Sequence, residues 1–184
     1  MKLTTLTLLA MLAAPAAHAV EYRTVLPQQS TIHFEFRQMG VPVKGGFKRF
    51  TTQMAFDPAK PEAARAQIEI DLASIDAGSP EAEEESAGKL WFNRSVYPKA
   101  TFVSRQVRAL GNNRYEMRGT LTLKGRSRDM TVPVTYMPGK NAAIFDGGFV
   151  LRRLDFGIGE GMWADVATVA NEVQVKFRIA ATGK

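Results

Sequence analysis

Side chains able to carry out acid–base, nucleophilic or metal chemistry are few and scattered along this sequence. The 184-residue chain contains no cysteine and only two histidines, His18 and His33. The lack of cysteine excludes thiol catalysis and cysteine-based metal or iron–sulfur sites. His33 lies in the middle of an alternating strand pattern, which is more typical of an outward-facing surface residue than of a catalytic base. We therefore predict neither catalytic residues nor a metal site.

The carboxylates give little more support to an enzyme. Paired acid–base catalysis needs two carboxylates at a controlled separation, whereas Asp71 and Asp165 are isolated in the sequence. For Asp155 we expect an ion pair with Arg152 or Arg153, or a hydrogen bond within its loop, rather than a catalytic role. The sequence also lacks a Gly-x-Ser-x-Gly nucleophile elbow and a phosphate-binding P-loop.

Large aromatic side chains are the better indication of function. They are spread over the whole chain, and each one alone is more typical of a protein core than of a binding site. Together they suit the wall or mouth of a cavity that receives an apolar guest. These residues are Phe34, Phe36, Phe50, Trp91, Phe92, Phe102, Phe156 and Trp163.

The first 19 residues have the pattern of a cleavable signal peptide. A positively charged start at Lys2 is followed by about ten mostly apolar residues, which is too short for a spanning helix. Ala17-His18-Ala19 fits the small-x-small rule for cleavage. Residues 20–184 then form one domain with 23 Lys and Arg against 18 Asp and Glu. No basic run stands out, so we predict no nucleic-acid partner.

Alternation of apolar and polar residues with period two dominates the domain and predicts half-buried strands. Turn-forming residues such as Gly111-Asn112-Asn113 separate neighbouring strands, and connections this short require antiparallel pairing. A closed barrel would remove the exposed edges of such a sheet. We therefore predict an all-β, eight-stranded antiparallel barrel. Its strands are expected at 31–38, 47–56, 67–72, 100–108, 114–123, 130–136, 143–151 and 172–181.

One short helix interrupts the strands. Ser79 is a suitable N-cap, Pro80 fits the first helical position, and Gly88 can end the helix. The positive end of the helix dipole stabilises acidic side chains, and this explains the acidic run at residues 83–85 more simply than a metal site would. A second irregular segment follows residue 157. Such segments are where a barrel of this size would build a lid or a mouth.

Six sequence motifs, in order, resemble those of the YceI family of periplasmic polyisoprenoid-binding proteins. The similarity runs from about residue 20 to residue 181. The motifs are Ser30-x-Ile32-x-Phe34, Gly45-x-Phe47-x-x-Phe50, Ile70-Asp71-x-x-Ser74-Ile75, Trp91-Phe92-Asn93 with Tyr97-Pro98-x-Ala100-x-Phe102-x-Ser104, Gly119-x-Leu121-Thr122-x-Lys124-Gly125, and Arg153-x-Asp155-Phe156-Gly157-Ile158.

The resemblance implies a lipocalin-like barrel whose apolar lumen holds a long isoprenoid chain, such as the tail of a quinone or of a prenyl phosphate. It implies no catalytic activity and no other cofactor. Two departures bear on the ligand's polar end. Residues 82–86 are acidic and lack the histidine that many members have there, and Leu90-Trp91-Phe92-Asn93 replaces a common Asp-Phe-Phe-Asp. This chain is therefore expected to differ from those members at the end of the cavity that meets the head group.

From these observations we expect a periplasmic carrier that sequesters a polyisoprenoid lipid. Two alternatives stay open: an enzyme or redox factor acting with a bound isoprenoid quinone, for which His33 or Asp155 would supply the polar group, and a ligand-free interaction module. Transient membrane contact and a homodimer are also left open. The residues expected to contact the ligand are Phe34, Phe36, Phe50, Met54, Ile70, Trp91, Phe92, Phe102, Met117, Leu121, Phe149, Phe156, Trp163 and Phe177.

Overall fold

The structure, a computed structural model, describes residues 20–183, so the predicted signal peptide lies outside the described residues. Within that part of the chain, eleven strands and one α-helix are present. The helix α1 spans Pro80–Ala87. The strands are β1 (Tyr22–Val25), β2 (Thr31–Gln38), β3 (Val41–Phe47), β4 (Phe50–Ala55), β5 (Arg65–Asp71), β6 (Ile75–Asp76), β7 (Lys99–Gly111), β8 (Arg114–Leu123), β9 (Arg126–Met137), β10 (Ala143–Arg152) and β11 (Glu172–Gly183).

All eleven strands belong to one antiparallel sheet that curls into a half-barrel. The strand order is β4-β5-β7-β8-β9-β10-β11-β2-β3-β6, and β1 also pairs with β11. At one end of the half-barrel, Tyr22 of β1 exchanges two backbone hydrogen bonds with Phe56, directly after β4. This bridge joins the two sides of the curled sheet at that end. The prediction of a lipocalin-like, all-β fold with one short helix is confirmed.

The predicted strand count of eight is wrong, because three further strands are present. All eight predicted segments form strands, and β8 has the predicted bounds. The additional strands are β1, β3 and β6, of which β1 has four residues and β6 only two. Strand β3 contains Pro42, Gly45 and Gly46, residue types that are depleted in strands. Its pairing with β2, which includes Phe34 opposite Gly45, overrides that local preference.

The helix forms where the sequence predicts it. The Ser79 hydroxyl accepts a hydrogen bond from the backbone N–H of Ala82 at 3.2 Å, and Gly88 follows the last helical residue. Within residues 20–183, no helix is both long and apolar enough to cross a bilayer. No group of three or more metal-ligating side chains converges in the same part of the chain.

The interior contains two clusters of apolar side chains. The first is well filled and is built around the β1 bridge, where the Tyr136 hydroxyl donates to the Tyr22 hydroxyl at 3.0 Å. Burial is the main cause that raises the pKa of Tyr136 above its ordinary value, and this hydrogen bond is the second. The second cluster includes Leu72, Leu121 and Phe156 and lies beside a large cavity. The half-barrel therefore has one packed end and one hollow end.

Gly147 of β10 makes room for an aromatic ring in the first cluster. It pairs with Phe177 of β11, and the ring of Phe177 lies over the space that a Cβ atom would occupy. A Cβ at this position would also lie 2.8 Å from the carbonyl oxygen of Pro133. The glycine is therefore required for this strand pairing.

We expect Gly147→Ala to lower the free energy of unfolding by about 1–3 kcal/mol, as measured by urea denaturation, because the added methyl group overpacks the site. The matched background is Phe177→Leu, which removes the ring. There, adding Gly147→Ala should cost clearly less. An equal cost in both backgrounds would show that the ring is not the obstacle.

Candidate functional site

The hollow end of the half-barrel encloses a cavity of about 500 Å³. Its wall comes from the sheet, from α1, from the segment after α1 and from residues 153–169. Five of the residues that line it are polar, namely Gln38, Glu81, Glu85, Ser86 and Arg153, and all the others are apolar. This volume and this composition are those of a site for a small apolar molecule.

Aromatic side chains form much of this wall. They all retain intermediate exposure although they point into the interior, because their surfaces face the cavity rather than other side chains. Phe34 lies 5.6 Å from Phe47 between ring centroids, and Trp91 lies 5.7 Å from Trp163. Covering this exposed apolar surface with an apolar ligand lowers the free energy, so the interior favours binding of such a ligand. The aromatic residues of the wall are Phe34, Phe36, Phe47, Trp91, Phe92, Phe149 and Trp163.

The structure brings eight of the fourteen sequence-predicted ligand residues to this cavity. They come from four strands (β2, β5, β8 and β10), the post-α1 segment and the 161–164 turn, so residues distant in sequence converge at one end of the sheet. The eight are Phe34, Phe36, Ile70, Trp91, Phe92, Leu121, Phe149 and Trp163.

The other six predicted residues lie elsewhere in the interior. Phe50, Met54, Met117 and Phe177 pack against the filled cluster, and the last three of these line a separate cavity of about 60 Å³. Phe102 and Phe156 belong to the second cluster but do not line the large cavity. Alternation correctly indicates which strand face turns inward. It does not indicate which end of the half-barrel a residue reaches.

Several wall residues were not predicted. Val173 and Val175 of β11 share the inward face with Phe177, so the alternation itself contained that signal. Val43 and Phe47 belong to β3, whose proline and glycines hid the strand, so that Phe47 was assigned to the start of the predicted 47–56 strand. Arg153, which also lines the cavity, was expected only as an ion-pair partner of Asp155.

Arg153 is only 2% exposed, and its guanidinium group is bound entirely by backbone carbonyls. Its Nη1 donates to the oxygens of Ile158 and Gly159 at 2.9 and 2.8 Å. Its Nη2 donates to Trp163 and Val169, and its Nε to Ala170, at 2.6–3.0 Å. All five N–H groups of the side chain are thereby used. Arg153 thus holds the whole 158–170 segment against the end of the sheet.

Of the two roles expected for Asp155, the ion pair with Arg152 or Arg153 is wrong, and the backbone oxygen of Asp155 instead accepts a hydrogen bond from Arg128 Nη2 at 3.1 Å. Among residues 20–183, no basic side chain forms an ion pair with Asp155, which is exposed. Burial lowers the pKa of Arg153. The Arg153 guanidinium instead has the Trp91 ring 5.8 Å away, a cation–π contact at the wall of the cavity.

Glu160 supplies a second anchor for the same segment. Its carboxylate accepts hydrogen bonds from Lys124 Nζ at 3.0 Å and from Arg126 Nη2 at 2.8 Å. The Lys124 hydrogen bond is the largest influence that lowers the pKa of Glu160. The β8–β9 turn and the start of β9 thereby hold the segment at a second point.

The segment also contacts α1 across the mouth of the cavity. The indole N–H of Trp163 donates to Glu85 Oε1 at 2.8 Å. Leu90, just beyond α1, accepts hydrogen bonds from the backbone N–H groups of Gly159 and Glu160. Together these contacts place α1 and the 158–170 segment side by side over the hollow end.

The chain matches the family model described as "YceI-like domain" over residues 24–181. It belongs to the YceI-like domain family. Among similar proteins, this YceI-like chain is 31% identical over 157 residues to a UPF0312 protein of Pseudomonas savastanoi pv. phaseolicola, covering 81% of this chain and 82% of that one.

Solved structures with the same fold include two informative neighbours. Burkholderia cenocepacia BcnA is 42% identical, with a TM-score of 0.84 over 86% of this YceI-like chain and 99% of BcnA. A polyisoprenoid binding domain from Saccharophagus degradans, implicated in plant cell wall breakdown, is 14% identical, with a TM-score of 0.70 over 91% of this chain and 100% of that domain. At that identity, the second likeness shows the shared fold alone.

Proposed function

We propose that this protein is a periplasmic carrier that sequesters a long-chain polyisoprenoid lipid, such as an isoprenoid quinone, in the cavity of the half-barrel. The observation that carries the proposal is the 500 Å³ cavity with its wall of half-buried aromatic side chains. Membership of the YceI-like family and the polyisoprenoid-binding neighbour from Saccharophagus degradans support a lipid-binding role.

A long chain suits the cavity better than a short terpene on energetic grounds. Burial contributes about 0.8 kcal/mol per CH₂ group, so a five-carbon isoprene unit contributes about 4 kcal/mol. Association and ordering of the chain cost about 4–15 kcal/mol. Several isoprene units are therefore needed for tight binding.

A series of prenyl alcohols of increasing length tests this proposal. We expect the affinity, measured by displacement of a fluorescent apolar probe, to rise over the first few isoprene units. It should level off once the cavity is filled. Absence of binding across the whole series, or an affinity that does not change with chain length, would refute the proposal.

Neither alternative function is favoured by a specific observation. The enzyme hypothesis placed His33 or Asp155 at the buried end of a quinone, but both side chains are exposed and neither lines the cavity. The ligand-free module requires a filled interior, and the hollow end of this half-barrel is not filled.

The proposed location depends on residues 1–19 acting as a signal peptide. We expect the periplasmic fraction of the native host to contain a chain that begins at Val20, as determined by intact mass and N-terminal sequencing. Recovery of the chain with Met1 from the cytoplasmic fraction would contradict both the cleavage and the location.

We also propose that the mouth of the cavity makes transient contact with a lipid bilayer during loading. Met39 and Met162 are 76% and 77% exposed, and each adjoins a residue that lines the cavity, namely Gln38 and Trp163. The backbone N–H of Met39 donates to Thr168, which connects the β2–β3 hairpin to the 158–170 segment. Apolar side chains exposed at the rim of a lipid site are typical of membrane contact.

The double variant Met39→Asp/Met162→Asp should lose sedimentation with phosphatidylcholine vesicles, because two carboxylates would then have to enter the interface. The control is Val103→Asp/Leu110→Asp, which alters two other exposed apolar residues, 44% and 45% exposed, on β7. Equal loss in both variants, or no vesicle binding by the unaltered protein, would refute the contact.

A further inference from the structure

The polar residues that line the cavity differ in what they can offer a ligand. All five N–H groups of Arg153 are already donated to carbonyl oxygens. The Ser86 hydroxyl donates to the carbonyl oxygen of Glu83 at 2.7 Å. Among the charged groups of the described lining, the carboxylates of Glu81 and Glu85 therefore remain able to meet a ligand.

Two further carboxylates lie on the same helix as these two. Glu83 and Glu84 belong to the same helix, and none of its four glutamates forms an ion pair within residues 20–183. Glu85 accepts one hydrogen bond, from the indole of Trp163, which leaves its second oxygen available. Two positive charges lie near them: Arg153 lines the cavity, and Arg94 donates to the carbonyl oxygens of Leu72 and Glu83. The four carboxylates of α1 outnumber these two guanidinium groups.

The position of these carboxylates determines which end of the ligand they meet. Most of the wall is apolar, so a charged or hydroxylated head group cannot be buried there without a large desolvation penalty. The hydrocarbon tail fills the apolar part, and the head group remains at α1 beside Glu81 and Glu85. An anionic head group at that point would meet like charges, whereas a cationic one would meet opposite charges.

We propose that the mouth of the cavity selects amphiphiles with a cationic head group over those with an anionic one, and that Glu81 and Glu85 determine this specificity. The inference rests on the proposed function, since it assigns the head group of the same lipid-binding site. Both carboxylates are exposed to solvent, so the preference is moderate and weakens as salt is added.

Three amphiphiles with an identical geranylgeranyl tail test the proposal: the amine, the alcohol and the monophosphate. At low salt we expect the full mature chain to bind the amine about tenfold more tightly than the monophosphate, with the alcohol between them. In Glu81→Gln/Glu85→Gln, the three affinities should converge. Thermal unfolding of each variant verifies that α1 still folds.

The matched control is Glu62→Gln/Glu84→Gln, which removes two carboxylates that do not line the cavity. It should retain most of the preference for the amine. Equal binding of all three lipids by the unaltered chain, or tighter binding of the monophosphate, overturns the head-group assignment while the proposed function stands. Failure of all three to bind, including the uncharged alcohol, overturns both.

Discussion

Arg153→Met is expected to lower the free energy of unfolding by about 3–5 kcal/mol in urea denaturation, the scale of losing a buried charged hydrogen-bonding group. Methionine fills a similar volume but donates no hydrogen bond. The carbonyl oxygens of Ile158, Gly159, Trp163, Val169 and Ala170 would all lose their shared donor. The 158–170 segment should therefore detach from the end of the sheet, and ligand affinity should fall with it.

The neighbouring arginine provides the control. Arg152 is exposed, so Arg152→Met should change the free energy of unfolding by no more than about 0.5 kcal/mol and leave ligand affinity unchanged. A cost below about 1 kcal/mol for Arg153→Met would contradict the anchoring role, because three of the five carbonyl acceptors are in buried hydrogen bonds and each would be left without its donor.

Val175→Trp is expected to weaken binding of a long prenyl alcohol by tenfold or more, about 1.4 kcal/mol or above. Val175 lies on β11, lines the cavity and pairs with Phe34. An indole at this position would fill part of the cavity. Since it enters an existing void, the free energy of unfolding should change by less than about 1.5 kcal/mol.

Gln174→Trp is the matched control on the same strand. Gln174 is exposed and its side chain points to the opposite face of the sheet, so the same substitution leaves the cavity open. The ligand affinity of Gln174→Trp should therefore equal that of the unaltered protein. Equal affinity in Val175→Trp as well would mean that the ligand does not occupy this cavity.

The all-β antiparallel fold was predictable because its strands show strong alternation. In β8, inward residues such as Tyr115 and Leu121 alternate with Arg114 and Arg118, and the strand has the predicted bounds. In β3, the local sequence gave no such signal. That strand exists because pairing with β2 places Gly45 opposite Phe34, a tertiary effect that local propensity does not contain.

The candidate site was only partly predictable, for two physical reasons. Met117 and Leu121 share the inward face of β8, but Met117 lines the small cavity and Leu121 lines the large one. Alternation predicts which face of a strand turns inward, but not which end of the half-barrel each inward residue reaches. The role of Arg153 depends on backbone carbonyls of a folded segment. Since every residue carries a carbonyl, no sequence pattern marks the ones that will converge.

Native mass spectrometry of the mature protein, purified from its native host without detergent, tests the central claim most directly. We expect one bound lipid per chain, which organic extraction removes and whose discrete mass fits a polyisoprenoid. The same preparation of Val175→Trp should carry clearly less lipid. Unaltered protein that carries no lipid and takes none up when long prenyl alcohols are added would contradict the account.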